Sequence, residues 1–183
     1  NYIKAVKACR LCNSKKLKTI LDFGSLPLGN DFANTFNDSK KKHKYKLIVK
    51  QCSSCRHFQL GHEVQPNKLY ATNYTYLTGV APSFLKHFQR YSNWAIKKCN
   101  LKKDDFILDI GSNDGTCLQA FRKKKLKVLG IDPAKLPSNI ANKNGIKTIN
   151  KFFNDATAKK IKNDYGQIDF ITRHNVLAHT GNI

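Results

Sequence analysis

Methionine is absent from all 183 residues, position 1 included, so the chain reads as a piece of a longer protein. Acidic residues are scarce: twelve Asp and Glu stand against 33 Lys and Arg, a formal charge of +21. An excess of that size attracts nucleic acid, an anionic membrane or a phosphorylated substrate. Arginine is scarce too, with only five residues, although it is the side chain best suited to bidentate contacts with phosphates and bases. The lysines are spread along the chain among many asparagines, and compositional drift accounts for them as well as a nucleic-acid partner does. No run of eighteen apolar residues occurs, and the first residues, NYIKAVKACR, lack the apolar block of a secretory signal. The expected location is the cytoplasm, with no membrane partner.

Against these shortages stand six cysteines, four of them in two CxxC pairs: Cys9 and Cys12 in CRLC, Cys52 and Cys55 in CSSC. Each pair turns two thiolates toward one point, and two pairs supply the four soft ligands of tetrahedral zinc. Two disulfides, or separate redox or free pairs, are the alternatives, and nothing points to an oxidising compartment. Four thiolates leave no open coordination position, so a single zinc here is structural. Between the pairs, DFGSLPLGNDF reads as an irregular loop and KYKLIVKQC as a strand delivering the second pair. The module is expected over 1–65. Cys99 and Cys117 stand alone and are expected as buried small hydrophobes.

An aromatic-rich linker and helix follow over 66–98. PNKLYATNYTYLTGV is dense in tyrosine, and Pro82 opens a helix expected to run through Ala95, with Phe84, Leu85, Phe88, Tyr91 and Ile96 on an apolar face. From 99 to 183 strands alternate with helices. FILDIG, KVLGID, GIKTIN and IDFITRHNV are the strands, separated by TCLQAFRKKK, KLPSNIANKN and DATAKKIKND. That alternation predicts a parallel α/β sheet, the front half of a Rossmann-like domain and incomplete in this chain.

The first strand runs into LDIGSNDGT, where Gly111 and Gly115 can take positive φ or admit a ligand closely. Three polar residues separate these glycines, so the motif is not the GxGxxG of dinucleotide sites. Asp109 can orient the turn amides or accept a hydrogen bond from a cationic ligand end. About twenty residues on, Asp132 closes the second strand, where an acid can accept both hydroxyl protons of a ribose. Together these features fit S-adenosylmethionine; a nicotinamide cofactor and a purely structural turn are the alternatives. Phe153 either borders the adenine or packs in the core. His174, Asn175 and His179 follow the fourth strand, whose end faces the crevice.

CRLC, DFGSLPLGNDF, CSSC with HFQLGH, YTYLTG, DIGSNDGT, GIDP, INKFF and ITRHNVLAH, in that order, resemble the N-terminal and middle regions of the sugar C-methyltransferases. The resemblance spans essentially the whole chain. It implies a small zinc-binding module, then an S-adenosylmethionine-dependent methyltransferase domain acting on nucleotide-linked 4-keto deoxysugars. It also implies that Cys9, Cys12, Cys52 and Cys55 bind zinc. The loop carrying Asp109, Gly111, Asn113 and Gly115, together with Asp132, holds the methyl donor, and Asn175 lines the donor site. Tyr76 and His179 match residues of the sugar-binding or catalytic pocket. The resemblance places the principal base, the histidine of a Glu-His pair, downstream of residue 183, and a sugar-holding C-terminal domain beyond it. Two rivals stand beside this reading: an RNA or DNA methyltransferase with a zinc module, and a non-catalytic fragment serving as a binding surface.

Overall fold

The computed structural model describes residues 3–71, 74–176 and 179. The chain divides after residue 73 into two compact units, so the segment after residue 65 goes with the cysteine module rather than with the following helix.

In the first unit β1 (Ile3–Ala5) pairs antiparallel with β5 (His62–Val64). A three-stranded antiparallel sheet is built in the order β2 (Leu17–Pro27), β3 (Lys44–Cys52) and β4 (Phe58–Leu60). The short helix α1 (Phe36–Lys40) is capped by Thr35, whose side chain accepts from the Asp38 amide. β3 is the strand expected to deliver the second cysteine pair. DFGSLP, expected as an irregular loop, lies in β2 instead. The pairing slips between Thr19 and Leu21 and again between Asp22 and Ser25, with Gly24 at φ +73°. Bulges of this kind absorb residues that break strand periodicity, which hides the strand from a period-two reading. Leu21, Phe23, Leu26, Phe58 and Leu60 are exposed. Among the unit's described residues, the buried apolar side chains are Cys9 and Cys52 alone. A fold with so little core depends on its cysteine cluster for stability.

The second unit begins with the Tyr74–Val80 segment and α2 (Pro82–Cys99). Pro82 sits in the first turn, where its missing N–H is no loss. The helix runs past the expected Ala95 because Lys97 and Lys98 suit a helix C-terminus, and it stops at Asn100 in the left-handed conformation. Cys99, expected buried, is exposed at that end, whereas Cys117 is buried as expected. Four parallel strands follow: β6 (Phe106–Ile110), β7 (Lys127–Ile131), β8 (Thr148–Ile149) and β9 (Phe170–Arg173). Crossover helices α3 (Thr116–Arg122), α4 (Lys135–Lys143) and α5 (Asp155–Tyr165) join them.

The strand order β8-β7-β6-β9 places the reversal of direction next to β6, so the crevice opens at its carboxyl end. Ile107 faces α2, α3 and α4 with Phe88, Leu118, Phe121 and Ile146, while Leu108, Leu129 and Ile131 face Ile161 of α5. Phe121 is wholly enclosed, and truncation of such a side chain costs about 3–5 kcal/mol. Apolar burial on both faces of β6 fixes the end of that strand and the turn that follows it.

Candidate functional site

Two knuckles bring the four cysteines together. The Asn13 amide donates to the Cys9 carbonyl and the Arg56 amide to the Cys52 carbonyl, and Asn13 and Arg56, each next after the second cysteine of its pair, have φ near +60°. Gln59, buried behind the first knuckle, accepts from the Arg10 amide and donates to the Ala8 carbonyl. All four Sγ atoms lie within 4.8 Å of one another, with Cys9 to Cys55 and Cys12 to Cys52 at 3.6 Å. Sulfurs on a tetrahedron with zinc–sulfur bonds of about 2.3 Å sit just under about 4 Å apart, whereas a disulfide needs about 2 Å.

The electrostatics point the same way. Amides of Cys55 and Ser54 help to lower the Cys52 thiol to about 6 against the opposing effect of burial. The His57 amide favours the Cys55 thiolate, yet Cys12, burial, Cys9 and Cys52 push it up to about 12. Four thiolates this close do not ionise together without a cation between them. The donor set and its spacing therefore fit one zinc ion, with Cys9, Cys12, Cys52 and Cys55 as its ligands.

In the second unit the turn after β6 is held to β7 by the Gly111 and Ser112 amides, which donate to the Ile131 carbonyl. Gly111, Asn113 and Gly115 all have positive φ. A Cβ on Gly111 would strike Val176, and one on Gly115 would meet Ile146 at 3.0 Å, so both glycines are demanded by backbone and packing together. Asp109 is 2 % exposed, and its Oδ1 has no hydrogen-bond partner. Burial, and then the charge of Asp132, raise its pKa well above the ordinary aspartate value. Asp132 is also buried; its two oxygens accept from the Asn113 and Ala134 amides at 2.8 Å. Burial raises its pKa, those amides lower it, and Asp114 raises it again. A carboxylate has about four lone-pair positions, so Asp132 keeps capacity for two further donors. No Lys or Arg forms an ion pair with Asp109 or Asp132 among the described residues. The unpartnered oxygen of Asp109 and the spare capacity of Asp132 fit a ligand with a cationic end and a diol.

The remaining site candidates gather at the same edge of the sheet. Phe153 follows β8 and is 40 % exposed, outside both core clusters, so the core reading of this residue is not what the structure has. Asn175, exposed and at φ +55°, follows β9, and the exposed His179 donates its amide to the Val176 carbonyl. His174 turns away from solvent instead. Its ring packs edge-on against Phe88 and Tyr91 of α2, and its Nε2 lies 3.1 Å from the Thr172 hydroxyl. Burial and the neighbouring His87 lower its pKa, which suits a packing residue.

Tyr76 is 42 % exposed, and its ring lies 6.4 Å from that of Tyr74. Burial, the Asp132 charge and Tyr76 all raise the Tyr74 pKa, so the tyrosine segment lies within electrostatic reach of Asp132. Its attachment involves Asn113, expected in the donor loop, and Asp114, which sequence reasoning missed. Asn113 Nδ2 donates to the Tyr76 carbonyl at 3.0 Å, and Asn113 Oδ1 accepts from the Thr78 amide at 2.9 Å. Asp114 Oδ2 accepts from the Gly79 amide at 2.7 Å, while its Oδ1 accepts from the Thr116 amide and hydroxyl at the start of α3. An Asp two residues before a helical run is a readable capping signal. A cleft of about 320 Å³ on the α2–α3 side of this turn is lined by Leu85, Gln89, Thr116 and Gln119 and excludes Asp109 and Asp132.

Four thiolates around one point, followed by the front half of a doubly wound sheet with two acids at its crevice, define a zinc module joined to a Rossmann-like domain. Residues 9–70 match the family described as "Putative zinc binding domain". The whole chain is similar, at 26 % identity, to the C-methyltransferase NovU of Streptomyces niveus and spans 43 % of that protein's length. Among solved structures, the plantazolicin methyltransferase BpumL in complex with S-adenosylhomocysteine shares 28 % identity over 39 % of this chain and 30 % of its own, with a TM-score of 0.30. The related BamL shares 23 % identity over 42 % of this chain and 29 % of its own, also at 0.30.

Proposed function

We propose that this chain carries the zinc module and the donor-binding half of an S-adenosylmethionine-dependent C-methyltransferase whose acceptor is a nucleotide-linked keto deoxysugar. The observation that carries the reading is the pair Asp109 and Asp132, buried on either side of a positive-φ turn with no cationic partner among the described residues. The similarity of the whole chain to 43 % of a C-methyltransferase supports the class of reaction.

Bound in the crevice, S-adenosylmethionine supplies an electrophilic methyl group. Asp132 would accept from its ribose hydroxyls, Asp109 would face its cationic end, and the backbone of Gly111, Asn113 and Gly115 would border it. Phe153 flanks the adenine and Asn175 the donor pocket. On the acceptor, loss of the proton on C3 beside the carbonyl would give an enolate; the donor would supply its methyl to C3, the methyl–sulfur bond breaking and S-adenosylhomocysteine leaving. Tyr76 donates its hydroxyl toward the enolate oxygen. His179, exposed at the same edge, serves as an auxiliary acid-base group, since an imidazole can both donate and accept a proton. The principal base lies outside these residues.

Calorimetry on the zinc-loaded protein tests the reading. Saturable uptake of S-adenosylhomocysteine, lost in Asp132→Ala, is expected, and no uptake by the zinc-loaded parent overturns it. The acceptor is tested by saturation binding of thymidine and uridine diphosphate sugars, compared with retention on heparin and single-stranded RNA at about 0.15 M salt, since polyanion binding weakens steeply with salt.

A further inference from the structure

We propose that Asn113 and Asp114 are positioning residues: their side chains latch the Tyr74–Val80 strap onto the glycine turn, so that one turn sets both the donor pocket and the placement of Tyr76. The catalytic consequence rests on the methyl-transfer reading; the latch itself does not.

Three observations converge on it. Asn113 uses both ends of its amide on the strap, donating to Tyr76 and accepting from Thr78, which fixes the peptide units on either side of Leu77. Asp114 adds a charged acceptor for the Gly79 amide while capping α3 with its other oxygen, and it is only 8 % exposed. Hydrogen bonds to charged groups are the stronger kind. The fit is close: a Cβ on Gly79 would meet Thr116 Oγ1 at 2.7 Å and Asp114 Oδ2 at 3.0 Å. The main-chain amide of Asn113 meanwhile donates to Asp132 at 2.8 Å. One residue thus joins the ribose-accepting carboxylate, through its backbone, to the tyrosine strap, through its side chain. The geometry gives the polar Asn-Asp pair between the two glycines a role that donor contact alone does not require.

Residue-resolved amide exchange on the zinc-loaded chain is the test, with three variants. Gly79→Ala sets a Cβ against the side chains of Asp114 and Thr116 and so strains the strap's attachment, while the sequence of the turn itself is unchanged. Asp114→Ser keeps a capping oxygen for α3 but is too short to hold Gly79. Asn113→Asp keeps the acceptor for Thr78, tolerates positive φ, and sets a carboxylate against the Tyr76 carbonyl. In the parent the Thr78 and Gly79 amides are expected to exchange at least tenfold more slowly than in Gly79→Ala. In Asp114→Ser the position 79 amide alone is expected to lose protection while the α3 amides keep theirs. In a longer, active form carrying these residues, Gly79→Ala is expected to lower kcat about tenfold with the donor KM within about twofold, because the added Cβ meets the Asp114 and Thr116 side chains and not the Asn113 amide that holds Asp132. Unprotected Thr78 and Gly79 amides in the parent, or variants with unchanged exchange, overturn the latch. Failure of the donor reading is distinguishable, since the parent then takes up no S-adenosylhomocysteine while its strap amides stay protected.

Discussion

Asp109 and Asp132 stand at the carboxyl ends of neighbouring strands, both buried, and the charge on Asp132 adds to burial in raising the Asp109 pKa. Two acids held this way are a cost to the folded protein in the absence of a cation, and they make the crevice a place where a positive ligand end is welcome.

The sign of the pH dependence follows. Asp109 has a folded pKa above its unfolded value of about 3.9, so its protonated form suits the fold. Its stabilising protonation is complete below that value and is lost as pH rises toward the raised pKa. Asp109→Asn is expected to melt a few degrees above the ligand-free parent at neutral pH, with the difference vanishing in acid, and to bind S-adenosylhomocysteine more weakly. Melting curves across pH check this; identical profiles for parent and variant contradict it.

The cysteine cluster should bind one zinc per chain. Chelation, or Cys52→Ser, is expected to unfold residues 3–71, whose described core holds little apolar burial beyond Cys9 and Cys52, and to leave the second unit's sheet intact. Zinc affinity should fall as pH drops, because thiols must lose protons to bind. Metal analysis with thiol titration and domain-resolved exchange measure both. Two zinc ions per chain, or none with four freely titratable thiols, would falsify the single site.

Gly115→Ala is expected to destabilise the second unit by about 2 kcal/mol or more, since φ +79° is a left-handed conformation and the new Cβ meets Ile146 at 3.0 Å. Denaturant unfolding reads the loss, and an unchanged midpoint argues against the turn geometry.

In an active form that includes these positions, His179→Ala is expected to lower turnover by roughly tenfold to a thousandfold with donor affinity nearly unchanged. Parallel kinetics and calorimetry separate the two quantities. Equal losses in both move His179 into the donor pocket.

What the sequence discloses depends on how local the physics is. The cysteine pairs and the run FILDIG are legible because two-residue spacing and a short apolar block carry their own meaning. The parallel sheet needed only the alternation of strands with helices, whereas the order β8-β7-β6-β9 came from the structure. DFGSLP was hidden because two bulges break its alternation. The exposure of Cys99 followed from a helix end set by Asn100 rather than by apolar spacing. The Asn113 and Asp114 contacts to the strap cross 35 residues or more of chain and leave no periodic trace.

β9 hydrogen-bonds to β6 on one side only among the described residues, and Ile171 near its middle is 53 % exposed. A strand edge that no described strand covers, beside a bare isoleucine, invites a like edge from another molecule. In concentrated solution the isolated chain should therefore grow turbid as these margins zip together, and a charged residue at position 171 should keep it clear.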